Sequence, residues 1–509
     1  MSEPNKVRRV RWGGASGILV LAAVAFGVIW ARDVQRQDRV IHSMIVGLVT
    51  MVALFVWAIL FSRLAGKTRL GILVVGLLLG VGLVKSVEVA GVSGDLVPIF
   101  RWRWSKGRKV EVAKAGEVSA KKSGGSFSQF LGPNRNGVIL DVRLGTNWVA
   151  NGPEELWRHA VGTGWTGFVV AEGIAITQEQ HGGEERVTAY DLETGKLVWS
   201  HADGARYFTT MGGEGPRATP TIVAGKIYTL GGTGILNCLE LGTGKLVWRK
   251  ELTKEHSTDV PEWGFAGAPL VHDGVVIVSV GGKNGRSLVA HEAATGKFLW
   301  GGGEQPAGYS SPTVMELGGR KQAVVFNGRA VAGHDLANGK VLWEHPWKTS
   351  TPHCTMPLQI STNRVLASQG YGYGSELLEV ARTNGGWNVE RVWKSNRLKS
   401  KFANLILHRG FVYALDDGIL ACVDPATGER KWHGERYGHG QMLLVGDVIL
   451  LMAENGEVLL IEPSPDAEKV VARFRALTTK TWNPPAMAGE YLLVRNDQEA
   501  ACFKVPLQK

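Results

Sequence analysis

The sequence predicts an all-β chain, an eight-bladed propeller, carried behind a block of N-terminal transmembrane helices. Three observations predict it. A hairpin motif ending in tryptophan returns from residue 157 onward at intervals of 39 to 52 residues. The chain holds 67 Gly and 18 Trp against 9 Met in 509 residues, a composition that suits turn-rich, aromatic-packed sheets better than helices. Long apolar runs are confined to the first 84 residues.

Those runs are 14–31, 41–62 and 70–84. The first two have the ~17 to 25 residues a spanning helix needs, whereas the third is short and depends on Lys85 snorkelling to the interface. A second apolar run follows the first at once and no A-x-A site separates them, so the first is read as a helix and not as a cleaved leader. Lys and Arg cluster in the tail 1–13 and again at Arg63, Lys67 and Arg69. The positive-inside rule then puts the N-terminus in the cytoplasm and, after three spans, the large domain on the periplasmic side of the inner membrane.

Residues 85–126 show no clear periodicity and are expected to be a basic linker. Eight Lys or Arg between Arg101 and Lys122 face only Glu111 and Glu117, so much of the net charge of +11 sits here. Charge gathered in a linker, and not on one face of a folded domain, argues against nucleic-acid binding. The start, Arg101-Trp102-Arg103-Trp104, has the composition of an interfacial anchor, with a solvated basic spacer as the alternative.

From 127 to 509 the repeat governs. Its clearest copy is Asp191-Leu-Glu-Thr194-Gly195-Lys196-Leu-Val-Trp199, and it recurs as Glu240 to Trp248, Glu292 to Trp300, Asp335 to Trp343 and Asp424 to Trp432. Degenerate copies end at Trp393 and Phe474. The spacing admits four short strands per unit, the mark of a propeller blade. In each copy the Gly is expected to take a left-handed turn, the acidic side chain to accept turn N–H groups, and the Trp to pack on the next blade. Trp157 precedes the first full unit, and the last three strands, near Trp482 to Ala486, Tyr491 to Arg495 and Ala501 to Val505, lack an outer one. Pairing them closes the ring without an open edge. Of the four cysteines, Cys238, Cys422 and Cys502 share one strand position in different blades, as core-filling thiols would. The fourth, Cys354, stands apart, and no CxxC or CxxCH pattern exists.

The Asp-x-x-Thr-Gly-Lys-x-x-Trp hairpin resembles the repeat of pyrroloquinoline-quinone (PQQ) type propellers, among them quinoprotein dehydrogenases and the lipoprotein of the outer-membrane barrel-assembly machine. Phe130-Leu-Gly-Pro-Asn-Arg-Asn-Gly137, Gly215-Pro-Arg-Ala-Thr-Pro220, Gly308-Tyr-Ser-Ser-Pro312 and Pro346-Trp-Lys-Thr-Ser350 look like a membrane-anchored, PQQ-binding-like subgroup. For a quinoprotein alcohol dehydrogenase the resemblance implies PQQ held between a Trp and a disulfide of adjacent cysteines, with Ca²⁺ on nearby Glu, Asn and Asp. No cysteines are adjacent here, although the membrane glucose-dehydrogenase type lacks that disulfide too.

Aligning the eight inner strands places Trp165, Arg217, Ala266, Tyr309, Cys354, Phe402, His439 and Trp482 around the channel mouth, with Phe265, Lys348, His353, Lys399 and Lys401 nearby. No carboxylate occupies an aligned position, which is poor chemistry for Ca²⁺. Aromatic and basic walls suit a sugar, a peptide strand or a small anion. The ligand-binding candidates are therefore Trp165, Arg217, Tyr309, His353, Phe402, His439 and Trp482, with no catalytic or metal residue assigned and no cofactor firmly implied. Two other spots fail: His291-Glu292-Ala-Ala-Thr295 only begins like a zinc-protease motif, and Gly370-Tyr371-Gly-Tyr373-Gly374 has no helix to make a phosphate cradle. The expected function is noncatalytic binding or scaffolding for an envelope protein or a small anionic or sugar ligand. The alternative is a PQQ-dependent membrane dehydrogenase oxidising an alcohol or sugar.

Overall fold

The computed structural model describes residues 10, 12–32, 34–104, 125–349 and 351–508. The chain divides into two compact units, residues 1–109 and 110–509.

The first unit is built from three helices, α1 (Trp12–Ala31), α2 (Arg36–Val56) and α3 (Gly66–Ser86), with a π-helical turn, Trp57–Phe61, extending α2. Leu, Val and Ile side chains point outward along all three, as they do where the solvent is lipid. All three are long and apolar enough to cross a membrane. The third run, expected to be short, becomes a helix of 21 residues because Gly66–Arg69 continues it backwards by a turn. The linker expected at 85–126 is partly folded: Val87–Val92 and Pro98–Trp102 form an antiparallel hairpin in which Arg101 pairs with Glu88 at 2.6 Å. Just beyond it the indoles of Trp102 and Trp104 stack 5.0 Å apart. Most of the basic run, 105–124, lies outside the described residues, as does most of the N-terminal tail.

In the second unit eight blades, each built on four antiparallel strands, follow one another in sequence order, and the sheet of blade 7 carries a fifth, parallel strand. Blade 1 runs from Val169 to Asp203, blade 2 from Thr221 to Glu251, blade 3 from Leu270 to Gly302 and blade 4 from Thr313 to Pro346. Blade 5 spans Leu358 to Ser395, blade 6 Ile406 to Arg436, blade 7 Gln441 to Arg475 and blade 8 Ala486 to Lys504. The second and third strands of each blade are almost wholly buried, which is why they read as continuous Val, Leu, Ile and Ala runs with little alternation.

The repeat motif works between blades. Asp191 Oδ1 accepts the Thr194 N–H and hydroxyl, at 2.9 and 2.7 Å, and so shapes the turn that Gly195 closes at φ +67°. The indole of Trp157 lies against that glycine, and a Cβ there would come within 2.6 Å of the ring. Gly244 meets Trp199, Gly296 meets Trp248, Gly339 meets Trp300 and Gly428 meets Trp393 in the same way. In several pairs the indole N–H also donates to a carbonyl of that neighbouring turn: Trp157 to Leu192 (2.8 Å), Trp199 to Leu241 (2.9 Å), Trp248 to Ala293 (2.9 Å) and Trp393 to Pro425 (3.0 Å). Trp343 departs because blade 5 replaces the motif turn with a long hairpin, Gly374–Thr383 and Gly386–Ser395; its N–H goes instead to Gln322 of its own blade. Cys238, Cys422 and Cys502 are free, buried, and sit directly across from Trp248, Trp432 and Trp157.

Ring closure uses the strand Glu154–Ala160, which pairs with Glu499–Lys504 as the outer strand of blade 8. Blade 8 itself starts slightly later than expected, at Ala486, because Asn483 and the two prolines after it form the approach to the inner strand. Buried polar groups reinforce the seam. Arg495 of blade 8 donates to Thr177 Oγ1 and the Gln178 carbonyl, both at 2.8 Å, and to the Gly162 carbonyl at 2.9 Å. Asn483 donates to the carbonyls of Gly164 and Thr166.

Replacing Trp248 by Ala is expected to cost about 3 to 5 kcal/mol, the usual loss on emptying a buried aromatic site. Gly296→Ala adds one methyl yet is expected to cost more than about 1 kcal/mol, through left-handed backbone and the clash with Trp248. Urea unfolding of the purified chain in detergent measures both.

Candidate functional site at the channel mouth

Four antiparallel strands return the chain to the end of the blade at which it entered. The links from each outer strand to the next inner strand therefore gather, with the turns between second and third strands, at one end of the channel. That end is the mouth. All seven candidate residues lie in these links.

The channel below the mouth is crossed by residues 127–139. Phe127 exchanges backbone hydrogen bonds with Val170 of blade 1, the Ser128 carbonyl accepts from Ile222 of blade 2, and Val138–Ile139 add a parallel strand to the inner edge of blade 7. Midway, Arg135 is buried and donates to three backbone carbonyls, those of Pro269 and Ala268 (both 3.1 Å) and Pro312 (3.0 Å), joining blades 3 and 4. Burial lowers its pKa to about 9, so it still carries its charge at neutral pH. The Phe130–Gly137 segment noted in the sequence is thus a floor.

Four candidates come together as an arc of rings. Trp165 and Trp482 stand 4.9 Å apart, Trp482 and Phe402 5.2 Å, and Phe402 and His439 5.7 Å. The Lys480 ammonium lies 4.0 Å from the Trp482 ring and 4.7 Å from that of Trp165. A carboxylate does reach this arc: Glu454 accepts the Trp482 indole N–H at 2.9 Å and the His439 backbone N–H at 3.0 Å. It was missed because it comes from the turn between second and third strands of blade 7, outside the aligned positions.

The other candidates lie elsewhere. Arg217 folds back onto its own link, donating to the carbonyls of Gly212, Gly213 and Gly215, with its guanidinium 4.6 Å from the Tyr207 ring. His353 is packed inward, stacked on Phe326 at 4.2 Å, with Nδ1 2.6 Å from the Asn327 carbonyl. Burial lowers its pKa to about 4, so it is neutral. Tyr309 stands beside it and its hydroxyl accepts the Trp263 backbone N–H at 3.3 Å. Of the nearby residues, Lys399 pairs with Asp416 at 2.8 Å, Lys401 lies over Tyr371, and Phe265 is buried.

Tyr309 opens onto a groove of about 830 Å³ spanning the links into blades 3, 4 and 5, with His353 buried behind its wall. Trp263, Arg329, Lys348 and Glu262 also line it, and Gln305 donates to Glu344 across it at 2.7 Å. Lys348 was legible from the alignment. Trp263 and Arg329 were not, since Trp263 sits within the long link into blade 3 and Arg329 in the turn between the second and third strands of blade 4, both outside the aligned positions.

Residues 183–434 match the family model described as outer membrane protein assembly factor BamB. The chain is a PQQ-type repeat propeller. Among solved structures, BamB from Moraxella catarrhalis superimposes with a TM-score of 0.50 at 14% identity, covering 70% of this chain and 99% of that one. Among curated proteins, a quinohemoprotein alcohol dehydrogenase of Comamonas testosteroni is 27% identical over 133 residues, 25% of this chain and 17% of that protein. A 1-butanol dehydrogenase (cytochrome c) of Thauera butanivorans is 34% identical over 110 residues, 20% of this chain and 14% of that protein. The chain thus spans under a fifth of either dehydrogenase.

Among the buried acids at the mouth end of this PQQ-type propeller, one on blade 1 stands out by its ionisation. Glu185 of blade 1 accepts the Gly232 N–H at 3.0 Å, while its other oxygen is buried without a partner. Burial, with the Asp203 charge adding to it, raises its pKa from 4.5 to about 7 against the opposing effects of Gly232 and Arg217. Between those two values the unfolded chain has released this proton and the folded chain still holds it. Stability from Glu185 is therefore full below 4.5 and lost as pH rises through about 7. The loss should be roughly 3 kcal/mol. Urea unfolding across that range should show the decline, and Glu185→Gln should remove it.

Proposed function

We propose that the chain is a membrane-tethered, noncatalytic binding propeller whose mouth receives a ligand or a segment of a partner protein. The groove carries this reading. It sets the aromatic faces of Trp263 and Tyr309 beside Arg329, Lys348 and Glu262, a mixture suited to an extended peptide or a sugar. The floor formed by 127–139 makes the mouth, and not the channel, the place where a ligand is met. The role of BamB as an outer membrane protein assembly factor favours a protein partner.

The dehydrogenase relatives raise PQQ as a cofactor, and the arc of rings does not fit it. A planar group held between two aromatic faces needs them about 7 Å apart, twice the ring-contact distance of ~3.5 Å. Here successive rings are 4.9 to 5.7 Å apart and fill that space themselves. A Ca²⁺ ion takes roughly 6 to 8 oxygen ligands. The carboxylate at the arc, Glu454, has one oxygen engaged by Trp482 and the other by the His439 N–H.

Purified chain supplied with PQQ and Ca²⁺ is expected to show no quinone absorbance after gel filtration and no alcohol- or sugar-dependent dye reduction. Retained absorbance with dye reduction would make it a dehydrogenase. A photoreactive residue in place of Trp263 or Lys348 should crosslink a partner in cells, whereas one at Val392, exposed on the outer strand of blade 5, should not. Three apolar helices with basic flanks at the N-terminus and between α2 and α3 support a propeller on the periplasmic side. An alkaline phosphatase fused after Lys509 should accordingly be active, and a cytoplasmic reporter at the same place inactive.

A further inference from the structure

We infer that Glu255, His256 and His291 form a binding site for a zinc-class divalent transition metal at the junction of blades 2 and 3. The outer strand of blade 2 ends at Glu251 and passes into a one-turn helix, Leu252–Glu255. Leu252 is buried and ties its N–H to the Gly234 carbonyl at 2.9 Å; the His256 N–H closes the turn on the Leu252 carbonyl at 3.0 Å. These bonds turn the His256 ring toward blade 3, where it meets His291 edge-on at 5.5 Å between centroids. His291 lies on the third strand of blade 3 and is wholly buried. Its Nε2 is 3.3 Å from Glu255 Oε1, and the ligand atoms of all three residues lie within 4.8 Å of one another.

Packing alone accounts poorly for these rings. Phe298 lies beside both, at 5.4 Å from His256 and 5.9 Å from His291, as an apolar core would have it. Yet His256 Nε2 and His291 Nδ1 are buried with no hydrogen-bond partner, a cost that a Phe or Leu at either position would avoid. Burial lowers both imidazole pKa values, that of His256 to about 4, so both rings are neutral and keep a lone pair for a metal. Two imidazoles and one carboxylate are the donors of three-residue zinc sites, which leave a fourth position for water, whereas Ca²⁺ and Mg²⁺ prefer all-oxygen shells. Ligand atoms on a tetrahedral ion sit roughly 3.3 Å apart, given metal–ligand distances of about 2.0 Å. The Glu255 side chain, 26% exposed at the edge of the cluster, can supply that contraction. Lys250, 3.7 Å from Glu255, must yield it to the metal.

The motif His291-Glu292-Ala-Ala-Thr295 stays outside protease chemistry, because Glu292 is spent on the Thr295 hydroxyl in the turn. Only its histidine joins the cluster, and its partners come from another blade. The loop that begins at Ser257 carries Glu262 and Trp263 to the groove, so a metal at its root would stiffen one wall of the mouth. That consequence rests on the binding reading above; the metal site itself does not.

The test uses the full chain, purified in detergent without a histidine tag, stripped with chelator and titrated with Co²⁺ and Zn²⁺. Expected is one Co²⁺ per chain with the visible bands of a four-coordinate ion, displaced by Zn²⁺. Loss of a mere outer partner weakens metal sites about 10-fold to 100-fold. Glu255→Gln and His256→Gln should each weaken binding by at least the lower of those factors. Glu255 is exposed, so its variant folds and gives the decisive reading. No stoichiometric metal in the parent chain, or unchanged affinity in Glu255→Gln, overturns the assignment, whatever the mouth proves to bind.

Discussion

The ring depends on one contact made again and again, an outer-strand indole lying on the turn glycine of the following blade. Each four-stranded sheet exposes two broad faces and has no core of its own, so its stability comes from the sheets on either side. The tryptophan supplies the largest apolar surface at that junction, and its N–H removes a carbonyl that would otherwise be buried unpaired. Glycine is required for two reasons that coincide. The turn needs positive φ, and the indole sits where a Cβ would be, 2.3 Å away at Gly244. The two residues belong to different blades, so each motif is half of two contacts.

A ring so built must also be closed and filled. The strand Glu154–Ala160 closes it, and the buried guanidinium of Arg495 holds the seam by donating across from blade 8 to blade 1. The tapering channel is filled by the crossing segment 127–139, whose Arg135 satisfies three carbonyls that the inner strands leave pointing into the channel. A charge in such a place is tolerated because three backbone carbonyls accept from its guanidinium.

The functional surface follows from this filling. With the axis occupied by protein, free surface at the mouth is left to the links between blades, whose lengths differ. The links into blades 1, 6, 7 and 8 bring Trp165, Phe402, His439 and Trp482 into contact with one another. The links into blades 3, 4 and 5 leave the groove between them. The same irregular link after blade 2 carries the one-turn helix that sets His256 against His291.

The blade repeat, its count and the closing role of the Trp157 strand were all legible in the sequence, because period, turn chemistry and the burial of aromatic residues are local or additive properties. The three apolar helices were legible for the same reason, although the start of α3 and the hairpin at 87–102 were not, since neither carries a strong pattern. The alignment also found residues of the mouth, but not which of them touch. Arg217 proved to staple its own link and His353 to pack inward, while Glu454, Trp263 and Glu185 arrived from positions the repeat does not index. Their roles were decided by tertiary structure alone. Link geometry sets the direction of each side chain, and burial sets the ionisation of Glu185, His256 and His291; both depend on neighbours brought in from other blades.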